Sequence, residues 1–198
     1  MPKRAAERIR DTARALFYKE GIRAVGVEQI VNRAGVTKPS LYRSFTSKDS
    51  LAVAYLEDYD CDFWVQFDAE MAPGAADPRQ QIIGYFTRRA GYALRPGYRG
   101  CGLTNAVLEY PQEGHPTHAI ALANKQRLRA RLAAMARAMG AARPDELGDG
   151  LLLLLEGLFV SGQLFGPGGP AGSVAAVAAA LIDAHLAEAG VRPVPAAE

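Results

Sequence analysis

Cysteine is scarce: only Cys61 and Cys101 occur in 198 residues, too few for a disulfide framework and in keeping with a reducing cytoplasm. Alternating strand patterns are also missing, which excludes a sheet protein. The opening fourteen residues are charged and lack an apolar core, so no signal peptide is predicted. The greasiest run, residues 151–165, is broken by Glu156 and Gln163 and is short for a bilayer span, so no membrane partner is expected.

Enzyme signatures are equally thin. His115 and His118, with Glu113 close by, resemble half of a metal site, but no third ligand sits at a fitting spacing. Cys101 lies between two glycines and reads as an ordinary thiol rather than a redox switch. Neither the Gly-Cys-Gly at 100–102 nor the glycine- and proline-rich loop at 166–172 follows a strand or carries the Lys-Ser/Thr tail of a phosphate loop. Ser161 sits within an apolar helical run and assembles no hydrolase constellation. The sequence therefore predicts no enzyme, no cofactor and no bound metal.

What is present is helical periodicity and a charge split. Residues 1–50 hold eleven Lys/Arg against five Asp/Glu, whereas the remainder holds twelve against sixteen. A basic first quarter on an acidic remainder is the electrostatic footprint of a DNA-binding head on a body with another task. Apolar spacing and end signals predict an all-α fold of about nine helices. Three of them form a helix-turn-helix domain over residues 1–46. The others form a helical ligand-sensing and dimerisation domain over 47–190, and 191–198 reads as a flexible tail.

Residues 27–48, VEQIVNRAGVTKPSLYRSFTSK, carry the functional reading. A short apolar helix ends at Gly35, which tolerates the left-handed conformation, and Thr37 is a candidate cap for the next helix. Leu41 and Phe45, four apart, form the dry inner face of that helix. Lys38, Ser40, Tyr42 and Arg43 therefore face outward. Lys38 and Arg43 reach guanine edges or phosphates, and Ser40 can approach either closely. The Tyr42 hydroxyl and Lys48, at the start of the fourth helix, suit phosphates. Two helices packed as a plain hairpin would need none of this agreement between turn, cap, inner pair and charge.

The stretch GIRAVGVEQIVNRAGVTKPSLYRSFTSKDSL, with AGV, LYRSF and SKDSL its most telling pieces, resembles the TetR family of one-component transcriptional regulators. The resemblance is strong over about residues 6–51; beyond that only size and the all-helical layout match. It implies DNA contact at Thr37, Lys38, Ser40, Tyr42 and Lys48, with Arg43 beside them. Gly26 stands where many relatives carry a capping Ser or Thr that touches a phosphate. That contact is then lost or moved to the Gly26 backbone amide.

The resemblance also implies a cytoplasmic homodimer. The leucines at 151–155 are apolar around the whole helix, and Ala175, Val177, Ala178, Leu181, Ile182 and Leu186 give the last helix a smooth face, so two such hairpins suit a four-helix bundle. Aromatic residues supply candidate walls for a small, partly apolar effector. The candidate ligand residues are Trp64, Phe67, Tyr85, Phe86 and Phe159, with Asn105, Glu109 and Gln163 to orient a polar group. The expected function is a repressor released from a palindromic operator when that ligand binds. The competing expectation is a helical small-molecule carrier with a vestigial DNA-binding head.

Overall fold

The structure, a computed structural model, describes residues 4–71 and 77–190; the predicted tail at 191–198 and most of the predicted loop after the fourth helix lie outside them. Among the described residues there are nine α-helices, one 3-10 turn and no strand. The helices are α1 (Ala5–Glu20), α2 (Val27–Ala34), α3 (Lys38–Ser44), α4 (Lys48–Glu70) and α5 (Pro78–Ala93), followed by α6 (Gly102–Glu109), α7 (Pro116–Ala138), α8 (Pro144–Phe165) and α9 (Val174–Glu188). The 3-10 turn, Pro170–Ser173, leads directly into α9 and had no signal separate from it.

Helix ends follow local chemistry. Ser47 Oγ accepts from Ser50 N at 3.0 Å while Ser50 Oγ accepts from Ser47 N at 3.1 Å, a reciprocal cap that starts α4. Asp77 Oδ1 accepts from Gln80 N at 2.9 Å and starts α5, with Pro78 in the first turn where a missing N–H is harmless. Thr37 takes the cap position of α3, but its side chain makes no capping bond; its carbonyl instead accepts from Ser40 N and Leu41 N.

The chain divides into two compact units, Met1–Trp64 with Cys101–Ala123, and Val65–Gly100 with Asn124–Glu198, the boundary falling inside α4 and inside α7. In the first unit, Ile9, Ala13, Leu16 and Phe17 of α1 are buried together with Ile22, Val25, Ile30, Val31, Leu41, Leu51 and Leu56. Phe45, expected on the dry inner face, is only half-buried, as is Val27. Outside this core, Arg10 donates to Asp58 at 2.6 Å and Arg14 to Asp62 at 2.5 Å, so α1 and α4 are zipped by ion pairs one helical turn apart.

In the second unit α5, α8 and α9 pack on one another around Ile82, Tyr85, Phe86, Leu151, Leu155, Leu158, Ala178, Ile182 and Leu186. Arg79 of α5 grips Asp183 of α9 with two hydrogen bonds, at 2.7 and 2.8 Å. The basic face of α7 is partnered: Lys125 pairs with Glu156, Arg129 with Asp149 and Arg137 with Asp145, all on α8. The falling partner numbers mark α7 and α8 as antiparallel. Leu122 of α7 is 48% exposed, whereas Leu128 and Leu132 are fully buried.

Candidate nucleic-acid interface

The turn between α2 and α3 is set by one residue. Gly35 has φ 62° and ψ 41°, the left-handed conformation, and Val36 N then donates back to Val31 O at 3.0 Å. Behind the turn Leu41 is fully buried, and on the outside Thr37, Lys38, Tyr42 and Arg43 are exposed, with Ser40 half-buried. The predicted outward set of α3 is thus presented on one short helix. Gly26 is the N-cap of α2, extended and exposed, with no side-chain cap. Its backbone and the first amides of α2 end the helix with partial positive charge, as an anion site requires.

Two cations of the surface have partners that the local sequence does not announce. Lys38 pairs with Glu28 of α2, and that hydrogen-bonded carboxylate raises its pKa above the ordinary lysine value. Lys48 turns inward onto the α1–α2 connection. Its ammonium donates to the carbonyls of Ile22 at 2.9 Å, Val25 at 3.0 Å and Arg23 at 3.3 Å. Together with Arg10 and Arg14, bound to Asp58 and Asp62, these pairs spend part of the positive charge counted in the first fifty residues.

The first unit also holds a tyrosine cluster. Tyr18 and Tyr59 are stacked with centroids 6.5 Å apart, Tyr55 meets Tyr59 edge-on at 6.1 Å, and with Asp11, Arg14 and Ala15 they line a cleft of about 390 Å³. Burial first, then the neighbouring buried Cys101 thiol, pushes the Tyr55 hydroxyl well above the ordinary range. Gly102 fits against Tyr55 and Tyr59 where a Cβ would lie 2.7 Å from the Tyr55 hydroxyl.

The eight candidate ligand residues divide between the units. Phe67, Tyr85 and Phe86 come together in the second unit, with ring centroids 5.2 Å apart for Phe67–Tyr85 and 6.3 Å for Tyr85–Phe86. Phe159 lies there too, under the Lys125 ammonium at 5.2 Å, and Gln163 is exposed one turn further on. Trp64, Asn105 and Glu109 belong to the first unit. Trp64 donates to Asp60 at 3.1 Å, and the Glu109 carboxylate accepts from Arg23 N at 2.6 Å. His115 stacks on Tyr110 at 4.2 Å and its Nδ1 lies 2.6 Å from Thr117 Oγ1, which ties it to the start of α7. Among the described residues, no three His, Cys, Asp or Glu side chains form a group able to hold a metal ion.

A left-handed glycine turn joining two short helices, with a dry inner face and a polar outer one, defines a helix-turn-helix DNA-binding protein. Residues 9–55 match the family model described as bacterial regulatory proteins, tetR family. The transcriptional regulator AcuR of Cereibacter sphaeroides is 30% identical over 155 residues, covering 74% of this chain and 70% of that protein. The HTH-type transcriptional repressor ComR of Escherichia coli is 27% identical over 96 residues, 48% of this chain; the matched part spans only 46% of ComR. A solved TetR-family transcriptional regulator from Streptomyces coelicolor superposes with a TM-score of 0.82 at 31% identity, covering 93% of this chain and 95% of that one. The chain belongs to the TetR family of transcriptional regulators, which bind DNA, dimerise and are not enzymes. The regulator reading thus prevails over the carrier one.

Proposed function

We propose that this chain is a cytoplasmic, homodimeric repressor that holds a palindromic operator and leaves it when a small, partly apolar molecule binds. The observation that carries this reading is the exposure of Thr37, Lys38, Tyr42 and Arg43 around a fully buried Leu41, directly after a left-handed Gly35. In this reading Arg43 and Lys38 reach base edges or phosphates, Ser40, Thr37 and Tyr42 flank them, and the α2 N-terminus at Gly26 accepts a phosphate through its amides. Lys48 supports that surface from the start of α4. Residues 1–46 act as the DNA-binding domain and 47–190 as the sensing and dimerisation domain.

The effector is assigned to the second unit, beside the buried rings of Phe67, Tyr85, Phe86 and Phe159, with Gln163 as a polar group. Release then needs only a few kcal/mol of differential affinity between the bound and free states. The dimer is assigned to α8 and α9; α8, and the 3-10 turn and α9 taken together, are long and apolar enough to cross a membrane by length and composition. A second protein copy covering them is the reading that fits a DNA-binding regulator.

The test is selection of genomic fragments by the purified protein, then anisotropy titration of the recovered site. A repressor of this kind selects a two-fold symmetric sequence and binds it about a thousandfold or more above random DNA. It also loses that affinity to one member of a panel of small apolar compounds that raises its melting temperature. Equal binding to random and selected DNA overturns the operator reading.

A further inference from the structure

The six residues joining α1 to α2, numbers 21–26, are held from two sides by charges of opposite sign. Lys48, the first residue of α4, places its ammonium on three carbonyls of this connection, those of Ile22, Arg23 and Val25, at 2.9–3.3 Å. Glu109, the last residue of α6, accepts from the Arg23 amide at 2.6 Å, and the Arg23 guanidinium donates to the Glu109 carbonyl at 3.3 Å. The carboxylate lies so close to the connection that a Cβ on Gly21, where φ is +94°, would sit 3.1 Å from it. Ile22 and Val25 are buried, so the connection is nailed into the core between these two polar grips.

The division of labour is chemically exact in kind: a cation with three donors meets three carbonyls, and an acceptor-only carboxylate meets an N–H. An ammonium so engaged has no donor left for a phosphate unless it leaves the connection. The connection ends at Gly26, which caps α2 without a side-chain hydrogen bond, so the direction in which α2 sets out depends on how the connection itself is held. On the reading that α2 and α3 form the DNA surface, we infer that Lys48 and Glu109 are positioning residues for operator binding. They clamp residues 21–26 from α4 and α6, and Lys48 acts through the connection and not as a phosphate contact.

Salt dependence separates this from a direct contact. Removing a phosphate contact flattens the slope of log K against log salt by about 0.9, whereas losing a positioning residue weakens binding at an unchanged slope. In the full-length protein, Lys48→Ala and Glu109→Ala are each expected to weaken binding to the selected operator by about tenfold, with the wild-type slope retained. Arg43→Ala, the comparison, lowers the slope by about one phosphate. Glu109→Gln keeps an acceptor for the Arg23 amide and restores affinity to within about twofold of wild type. Hydrogen exchange at the Arg23 amide, accelerated in Glu109→Ala and protected in Glu109→Gln, reports the clamp in variants that remain folded by circular dichroism.

A flattened slope in Lys48→Ala, or wild-type affinity in Glu109→Ala, overturns the clamp. Should Glu109→Ala not fold, Glu109→Gln with unprotected Arg23 and wild-type affinity overturns it as well. Wild-type protein that selects no DNA defeats the operator reading itself, and is told apart because no variant is needed to see it.

Discussion

On the proposed DNA surface, Lys38 is a residue both presented and restrained. Its ammonium pairs with Glu28, yet their side chains are 49% and 66% exposed, so the pair adds little to stability. If α3 presents the DNA surface as proposed, its effect is expected on DNA, because Glu28 sets a carboxylate beside that face. Glu28→Gln is expected to leave the urea midpoint unchanged within experimental error. The same change tightens operator binding severalfold and steepens the salt slope by about one counterion, as Lys38 becomes available. Anisotropy titrations between 50 and 200 mM KCl, roughly the span over which such slopes are read, check this. An unmoved affinity would show that Lys38 does not face the DNA. Lys38, Tyr42 and Arg43 were legible as outward because Leu41 fixes the inner face of a short helix. Glu28 on the neighbouring helix and Glu109, which meets a partner 86 residues away, were not. No local periodicity announces a partner that the fold brings in from elsewhere.

Whole elements were more legible than their partners, because end signals are local chemistry. Gly35, Ser47 and Asp77 each mark a boundary where the structure has one, since a left-handed turn or a capping oxygen acts within four residues. The faces of α7 were harder. Of its cations, Lys125, Arg129 and Arg137 are taken by the carboxylates Glu156, Asp149 and Asp145 of α8, which runs antiparallel to it. The closeness of these two helices depends on Gly148, where an added Cβ would lie 2.8 Å from the Ala133 amide nitrogen and 2.9 Å from its Cα. Backbone cannot swing aside as a side-chain tip can, so the helices must separate. Gly148→Ala is therefore expected to destabilise the protein by about 1–3 kcal/mol despite its better helix propensity. Gly91→Ala in α5, with nothing within 4 Å of its Cβ, should be neutral or mildly stabilising. Urea denaturation of the pair decides it, and equal midpoints would mean that α7 and α8 do not meet this tightly.

At the scale of the molecule, α8 leaves a row of apolar side chains uncovered by its own chain. Leu153 and Leu164 are 71% and 72% exposed and Val160 is 44% exposed. Along α8 these positions fall seven and four residues apart, with Gly157 between them, so they form a narrow stripe down one side of the helix. A bilayer would demand apolar surface all round, whereas a seam of this width suits a second helix packed along it. Val177 of α9, 48% exposed, adds to the apolar surface of the hairpin. In a two-fold arrangement every substitution on the seam is felt twice. Leu153→Glu removes two buried leucines from the assembly, about 1.5–3 kcal/mol each, and sets two carboxylates against apolar surface. The dimer dissociation constant should rise by more than about a hundredfold, giving monomers at micromolar concentration by light scattering. In the free chain Leu153 already faces water, so Leu153→Glu should keep native helicity by circular dichroism. Operator affinity should fall with the dimer, because one recognition helix buries too little to specify a site alone. A dimer of undiminished affinity in Leu153→Glu would move the two-fold axis off α8.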